Sequence, residues 1–377
     1  MQKKIKIAYI IDELNIGGTE NQLVATIELL DKNQFEILLI CLRPSQYFSK
    51  IALQCEKVVL HVRSLISIDG FLKLLRFVFF LRKHKIDIVQ TYFFDANIFG
   101  VFAAKFAGVK KIISCRRDMG FWYTTKLLLV LKVVNKLVDR VLVNSNAVKE
   151  NVCKNEQIPC SKVDTIYNGI DADSYKGKEV VILRKELNIK KNDLVVGIVS
   201  NLNRPVKRVD LFVKAAAEVL KKRPNVTFII VGDGYLREEL YQLCKDFGID
   251  DSVIFTGLQE KIASYISLFD IGVLSSDSEG FSNSILEYMA SGIPVIATNT
   301  GGNKEILKES ENGLLVEAGD YMSLCEKILV LLYDESIRMQ IGKRAQTFIH
   351  TRYDWSIKIK EIESYYCKLF STKPLGD

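Results

Sequence analysis

Ser276-Asp277-Ser278-Glu279-Gly280-Phe281-Ser282-Asn283-Ser284-Ile285-Leu286-Glu287-Tyr288-Met289-Ala290-Ser291-Gly292-Ile293-Pro294 is the stretch that decides the fold. The apolar run before it, Ile271 to Leu274, reads as a buried strand. The stretch then becomes a helix, stopped by Gly292 and Pro294. Glu279 therefore sits on the loop at the strand's C-terminal end, and Glu287 inside the following helix. In a doubly wound sheet that loop opens on the ligand crevice. Backbone N–H groups of Phe281, Ser282 and Asn283 would point out of the helix start and, with the helix dipole, receive phosphate oxygens. A carboxylate on either side can accept hydrogen bonds from sugar hydroxyls. The pattern suits a nucleotide sugar, with an anion in the middle and polyols at both ends. A second reading stands beside it: Ser284-x-x-Glu287 also has the form of a capping box, and Glu279 that of a solvated loop acid.

Glu, seven residues, Glu, in the setting S-E-G-F-x-N-x-x-x-E-x-M-A-x-G-x-P-V-I-A-T, resembles the signature of glycosyltransferase family 4. The resemblance implies a GT-B architecture: two Rossmann-like, doubly wound α/β domains facing each other across a cleft, with the last helix crossing back onto the first domain. It covers nearly the whole chain.

The chain has 377 residues, 48% hydrophobic and 26% charged, which is room for two or three soluble globular domains. Its eight cysteines are scattered, with no C-x-x-C or zinc spacing, and are expected as reduced thiols of a cytoplasmic protein. Met1-Gln2-Lys3-Lys4 runs straight into a strand, so no signal peptide is expected. No apolar run approaches the roughly 18 residues of a membrane span. Charge is uneven: residues 1–170 carry 25 Lys and Arg against 15 Asp and Glu, the remainder 27 against 30. A basic first half suits an anionic acceptor or an anionic membrane face. No recognition motif accompanies the charge, so no nucleic-acid partner is expected.

Strands are expected at residues 4–12, Phe35–Leu42, Val58–Val62, Ile86–Tyr92, Lys111–Cys115 and Arg140–Ser145. Val163-Asp164-Thr165-Ile166-Tyr167-Asn168-Gly169-Ile170-Asp171 resembles the family's V-I-x-N-G-x-D segment and closes a first domain, residues 1–170. A charged connection from Lys176 leads into a second α/β run, so that 171–352 form the nucleotide-sugar domain. The tail 353–377, a helix from Tyr353 to Leu369, is expected to return to the first.

Gly17-Gly18, after the first strand, let a phosphate or sugar approach the backbone; family members often carry G-G-x-E here. Arg204 and Lys207, on a loop between strand and helix, can clamp a diphosphate and stabilise it as a leaving group. They match one subgroup's R-x-V-K-R form, with Arg208 the lesser candidate. Asp171-Ala172-Asp173 is formally a metal-binding D-x-D, but it falls at the domain boundary and the GT-B resemblance requires no metal there. Neither a metal nor a cofactor is expected. The resemblance assigns Glu287 to the ribose hydroxyls and Glu279 to those of the donor sugar. Gly280 and the Phe281–Asn283 amides would hold the diphosphate, with Arg204, Lys207 and Glu279 at the reacting centre.

One departure concerns the acceptor side. Many family members place a histidine after the strand matching Lys111–Cys115. This chain reads Cys115-Arg116-Arg117-Asp118-Met119-Gly120-Phe121-Trp122, and its histidines are His61, His84 and His350. Arg117 or Asp118 fills the role, or the pair pins a loop.

On a helix over Asp69–Lys85, Asp69, Lys73, Arg76, Phe80 and Lys83 share one face. Phe80 among cations reads as an interfacial anchor; Lys126, Lys132, Lys136 and Arg140, after Trp122, repeat the theme. The expectation is a retaining hexosyltransferase of cell-surface polysaccharide synthesis. It would use a nucleotide-diphosphate sugar and a glycan or lipid-linked acceptor, cytoplasmic or peripheral on the inner membrane face. The rival readings are a GT-B sugar-nucleotide 2-epimerase and a non-catalytic partner subunit.

Overall fold

A computed structural model of the chain describes residues 3–175 and 180–371. The start of the expected connection, 176–179, and the last six residues of the expected tail lie outside the described residues. The chain divides into two compact units, Met1–Asn168 with Ser356–Asp377, and Gly169–Trp355.

The first unit alternates strand and helix: β1 (Ile5–Ile11), α1 (Gly18–Leu29), β2 (Phe35–Cys41), α2 (Gln46–Lys50), β3 (Glu56–Val59), α3 (Ile68–His84), β4 (Ile88–Tyr92), α4 (Phe94–Ala107), β5 (Lys111–Arg116), α5 (Thr125–Leu137), β6 (Arg140–Val143), α6 (Asn146–Asn155) and β7 (Val163–Thr165). The strands form one parallel sheet in the order β3-β2-β1-β4-β5-β6-β7. Parallel strands covered by helices on both faces need apolar side chains both ways. The runs Ile7–Ile11 and Ile37–Cys41 are accordingly buried at every position. The order reverses between β1 and β4, which makes their carboxyl ends the unit's switch point.

The second unit runs α7 (Val180–Glu186), β8 (Leu194–Val199), α8 (Val209–Lys222), β9 (Val226–Val231), α9 (Arg237–Asp246), β10 (Val253–Gly257), α10 (Ile262–Ile266), β11 (Ile271–Leu274), α11 (Asn283–Ala290), β12 (Val295–Thr298), α12 (Asn303–Ile306), β13 (Leu314–Val316), α13 (Tyr321–Tyr333) and α14 (Glu335–Arg352). Its parallel sheet is ordered β10-β9-β8-β11-β12-β13, with the reversal between β8 and β11. The α8 face formed by Val209, Phe212, Val213, Ala216 and Val219 packs into this unit's core.

The last helix, α15 (Trp355–Ser371), returns to the first unit, as a GT-B fold requires. The Tyr366 hydroxyl donates to Gln90 Oε1 at 2.8 Å and lies 2.9 Å from the Tyr9 hydroxyl. A phenol has one proton, so Tyr9 donates to Tyr366. Gln90 passes the chain on to the Tyr92 hydroxyl at 2.6 Å. These buried groups are satisfied among themselves and fix the helix on β1 and β4.

Three expectations are corrected in the first unit. Helix α3 is rotated from its expected face: Phe80 is half-buried, stacked on Phe77 and His84, and Phe79 is the exposed aromatic. The helix carries two apolar faces, so periodicity alone leaves the core side undecided; Phe77, Val78 and Leu81 take it. Trp122 is half-buried, its indole N–H donating to Asp118 and its ring against Phe94 and Tyr123, while Phe121 is exposed. Cys153 and Cys160 are joined in a disulfide, because the end of α6 and the turn after it bring their Cα atoms to 5.5 Å. The other six thiols are free.

Candidate active site

The switch point of the second unit is built from two loops, Ser200–Arg208 after β8 and Ser275–Ser282 after β11. They are knitted together by backbone and side chains. Asp277 N–H donates to Val206 O at 2.8 Å, and Ser275 Oγ donates to the carbonyls of Lys207 and Arg208. A short 3-10 turn, Pro205–Lys207, ends at Arg208 in the left-handed region (φ 49°) and passes directly into α8. That turn aims Lys207 back at the β11 loop. Its ammonium lies 2.6 Å from Glu279 Oε1, and Ser276 Oγ donates to the same oxygen at 2.6 Å. Glu279 is buried, so its charge is held by these partners rather than by water. Arg208 points elsewhere, forking onto Asp210 and Asp277. Arg204, ahead of the turn, is exposed.

Two glycines let neighbouring loops close on this platform. At Gly301 (φ 50°) a Cβ would lie 1.7 Å from the Glu279 carbonyl oxygen, which accepts from Gly302 N–H. At Gly232 (φ 133°) it would lie 1.9 Å from the Ser200 carbonyl. Any side chain at either place would push a loop off the site.

Helix α11 starts at Asn283, one turn beyond Glu279. Ser282 is its N-cap, accepting from Ile285 N–H at 3.4 Å. The capping box at Ser284 is therefore not used: Ser284 Oγ donates to Val199 O, and Glu287 is free of a capping role. Gly280 and Phe281 are buried, the Phe281 ring packing on Tyr353. Glu287 emerges on the second turn, where burial pushes its carboxyl up to about 7. One hydrogen bond opposes that shift, donated by the Tyr175 hydroxyl.

The carboxyl edge of the first unit carries the remaining candidates. Gly17 is the N-cap of α1 in extended backbone, and Glu20 folds back so closely that a Cβ at Gly17 would meet Glu20 Oε2 at 2.5 Å. Gly18 is exposed at the helix start. Asp118 accepts from Gly120 N–H at 2.8 Å and from the Trp122 indole at 3.0 Å, so its carboxylate pins the loop after β5. Arg117 donates to Asn168 Oδ1 at 2.9 Å; its Nε is buried without a partner. Arg116 points the other way, into a buried pair with Glu156 at 2.7 Å.

Two family models match, one for each half of the chain. Residues 16–174 match glycosyltransferase family 4, and residues 181–348 match glycosyl transferases group 1. The chain belongs to glycosyltransferase family 4. This family 4 enzyme is 28% identical to the UDP-Gal:alpha-D-GlcNAc-diphosphoundecaprenol alpha-1,3-galactosyltransferase of Escherichia coli, with 98% of each chain covered. It is 31% identical to the N-acetyl-alpha-D-glucosaminyl L-malate synthase of Bacillus anthracis, over 55% of this chain and 54% of that one. Its fold is that of Anabaena HepE solved with UDP and glucose: TM-score 0.86 at 23% identity, covering 97% of this chain and 100% of that one.

Three residues of the candidate sites were not singled out by sequence. Ser276 and Tyr175 hold the two signature carboxylates; Ser276 opens the quoted stretch but, like Tyr175, carries no charge to mark it. Asp12, at the end of β1, accepts the Ala96 amide at the start of α4 and pairs with Arg43, which also holds Asp95. Burial pushes Asp12 up to about 6 against those contacts. Its position after a strand at the β1/β4 switch point was the available signal.

Proposed function

We propose that the chain is a retaining glycosyltransferase that moves a hexosyl unit from a nucleotide-diphosphate sugar to a glycan or lipid-linked acceptor in cell-surface polysaccharide synthesis. The observation that carries this reading is the Lys207–Glu279 pair at the β8/β11 switch point, one turn before α11. It sets a cation and a helix start beside a buried carboxylate, an order complementary to a diphosphate joined to a sugar's hydroxyls. UDP is the nucleotide favoured by the names of the relatives.

Glu287 accepts the ribose hydroxyls, and Glu279 orients the donor sugar. Lys207, Arg204 and the amides from Gly280 to Asn283 neutralise the diphosphate as its C1–O bond breaks. The acceptor hydroxyl attacks C1 from the face the leaving group departs, and its proton passes to the departing phosphate oxygen. A new C1–O bond forms, nucleoside diphosphate leaves, and no protein nucleophile is used, unlike in the two-carboxylate retaining glycosidases. Cations and amides carry the leaving-group charge in this scheme, so no divalent metal is invoked. Arg117 faces the acceptor, with Asp118 shaping its loop. The enzyme works in the cytoplasm, peripheral on the anionic inner face of the membrane.

Thermal shift with a panel of nucleoside diphosphates tests the donor side. UDP should raise the melting temperature of the wild type and much less that of Glu287→Ala. Equal shifts in both proteins would overturn the assignment of Glu287.

A further inference from the structure

Helix α3 has two apolar faces, and only one of them is used. Phe77, Val78 and Leu81 pack into the first unit's core. On the opposite side Ile68 is 82% exposed, Leu72 48%, Leu75 41% and Phe79 66%. Their spacing of four, three and four residues places them on a single stripe along the helix. Exposed cations border it: Arg76 and Lys83 on one side, Arg82 on the other. Asp69 is the one acidic residue in the helix.

Helix α5 repeats the arrangement. Leu131 and Val134 are buried, while Leu129 (58% exposed) and Val133 (53%) face out between the exposed Lys126 and Lys136. The helix contains no acidic residue. Phe121, just before it, is also exposed. Right-handed crossovers put α3, α4 and α5 on one side of the sheet, with α4 packed against both of the others. Both stripes thus belong to one helical layer.

A water-facing layer has no reason to carry this many large apolar side chains. A second copy of the chain would bury them, but an isologous contact would bring Arg76, Arg82 and Lys83 toward their own duplicates. An anionic lipid surface satisfies both features: it takes apolar side chains at the acyl boundary and cations at the headgroups. The charge excess of residues 1–170, 25 basic against 15 acidic, has the matching sign.

We propose that the outward stripes of α3 and α5 form a membrane-seating face, with Leu72, Leu75, Phe79, Leu129 and Val133 entering the headgroup–acyl boundary of an anionic bilayer. The proposal rests on the reading that the acceptor is met at a membrane, and it specifies the surface that does so. It moves the apolar anchors from Phe80 and Trp122 to Phe79 on α3 and to Leu129 and Val133 on α5.

The test is co-sedimentation of the full chain with vesicles of phosphatidylglycerol and phosphatidylcholine, against phosphatidylcholine alone. Wild type should bind the anionic vesicles and weaken, without being abolished, as salt rises. Leu72→Glu with Phe79→Glu should lower binding roughly tenfold or more, as should Arg76→Glu with Lys83→Glu. All four sites are exposed, and an unchanged UDP-induced thermal shift checks that the variants are folded. Phe79→Trp adds a direct readout: its emission should shift to the blue on anionic vesicles and be quenched by brominated acyl chains. Wild type that ignores anionic vesicles at low salt overturns the proposal. So does a wild-type dimer that Leu72→Glu with Phe79→Glu converts to monomer while vesicle binding is unaffected. The acceptor reading fails separately: vesicle binding without transfer to any lipid-linked acceptor leaves the surface standing and removes its purpose.

Discussion

Lys207 Nζ and Glu279 Oε1 lie 2.6 Å apart, joining the loop after β8 to the loop after β11 across the switch point of the second unit. The pair connects the two groups assigned to the leaving diphosphate and to the sugar. Removing either should therefore disturb both functions. Glu279→Gln and Lys207→Ala are each expected to lower kcat about 10²–10³-fold, the range for losing one preorganised electrostatic group. The double variant should fall well short of the product of the two losses, because each single change already breaks the pair. Steady-state kinetics of the four proteins checks this; independent, multiplicative losses would contradict it.

Tyr175 and Glu287 make the donor side sensitive to pH. Burial holds the Glu287 carboxyl at about 7, above the usual carboxylate range. The folded state therefore takes up a proton here that the unfolded chain does not. This group's contribution to stability falls as pH rises from the ordinary carboxylate range through 7. Its capacity for the proposed role, accepting the ribose hydroxyls, rises over the same interval. UDP affinity of the wild type should improve as pH rises through 7. Tyr175→Phe removes a donor to the charged form and should move that midpoint up by about one pH unit, the equivalent of one hydrogen bond to a charged group. Calorimetric titration of UDP from pH 6 to about 8.5 measures it. A midpoint unmoved by the substitution would mean that Tyr175 does not hold Glu287.

The buried Arg116–Glu156 pair should matter for the loop that carries Arg117 and Asp118. Burial alone would push the Glu156 carboxyl up, but Arg116, Tyr123 and Asn135 outweigh it and hold it below the usual range. The stabilisation is present at neutral pH and lost as pH falls through the folded-state value. Glu156→Ala leaves Arg116 buried and unpaired, with side-chain exposure of 3% at the arginine. The expected cost is about 3–5 kcal/mol of stability. Urea denaturation should show it, and a loss under about 1 kcal/mol would contradict a buried pair of this geometry.

Activity should survive chelation. In the proposed scheme Lys207, Arg204 and the helix amides supply the positive potential at the diphosphate, so excess EDTA should leave turnover within about twofold. Full loss restored by magnesium or manganese would contradict the scheme and return attention to Asp171 and Asp173.

Much of the second unit was legible in the sequence because its signals are sharp. β11 falls on the expected run Ile271 to Leu274, a short apolar stretch ahead of a charged loop. Glu279 and Lys207 meet at one switch point, as their positions after β11 and β8 implied, and Glu287 lies inside the helix that follows, as read. The first unit was less transparent at its surface. Helix α3 offers two apolar faces, and which one meets the sheet depends on α4, whose contribution no local pattern contains. Tyr175 and Glu287 meet although 112 positions separate them in the sequence, and a phenol in a short 3-10 turn carries no motif. The contact of Cys153 with Cys160 depends on how α6 ends, which spacing alone leaves open.

The anomeric configuration of the product decides whether the transfer is retaining. The full chain, with EDTA present, should be incubated with α-linked UDP-hexoses and a polyprenyl-diphosphate-linked sugar acceptor, and the product analysed by proton NMR. An α-linked hexose on the acceptor is expected, with one UDP released per transfer, and no product from Glu279→Gln beyond about 1% of wild type. A β-linked product, or an epimerised nucleotide sugar formed without acceptor, would contradict retaining transfer.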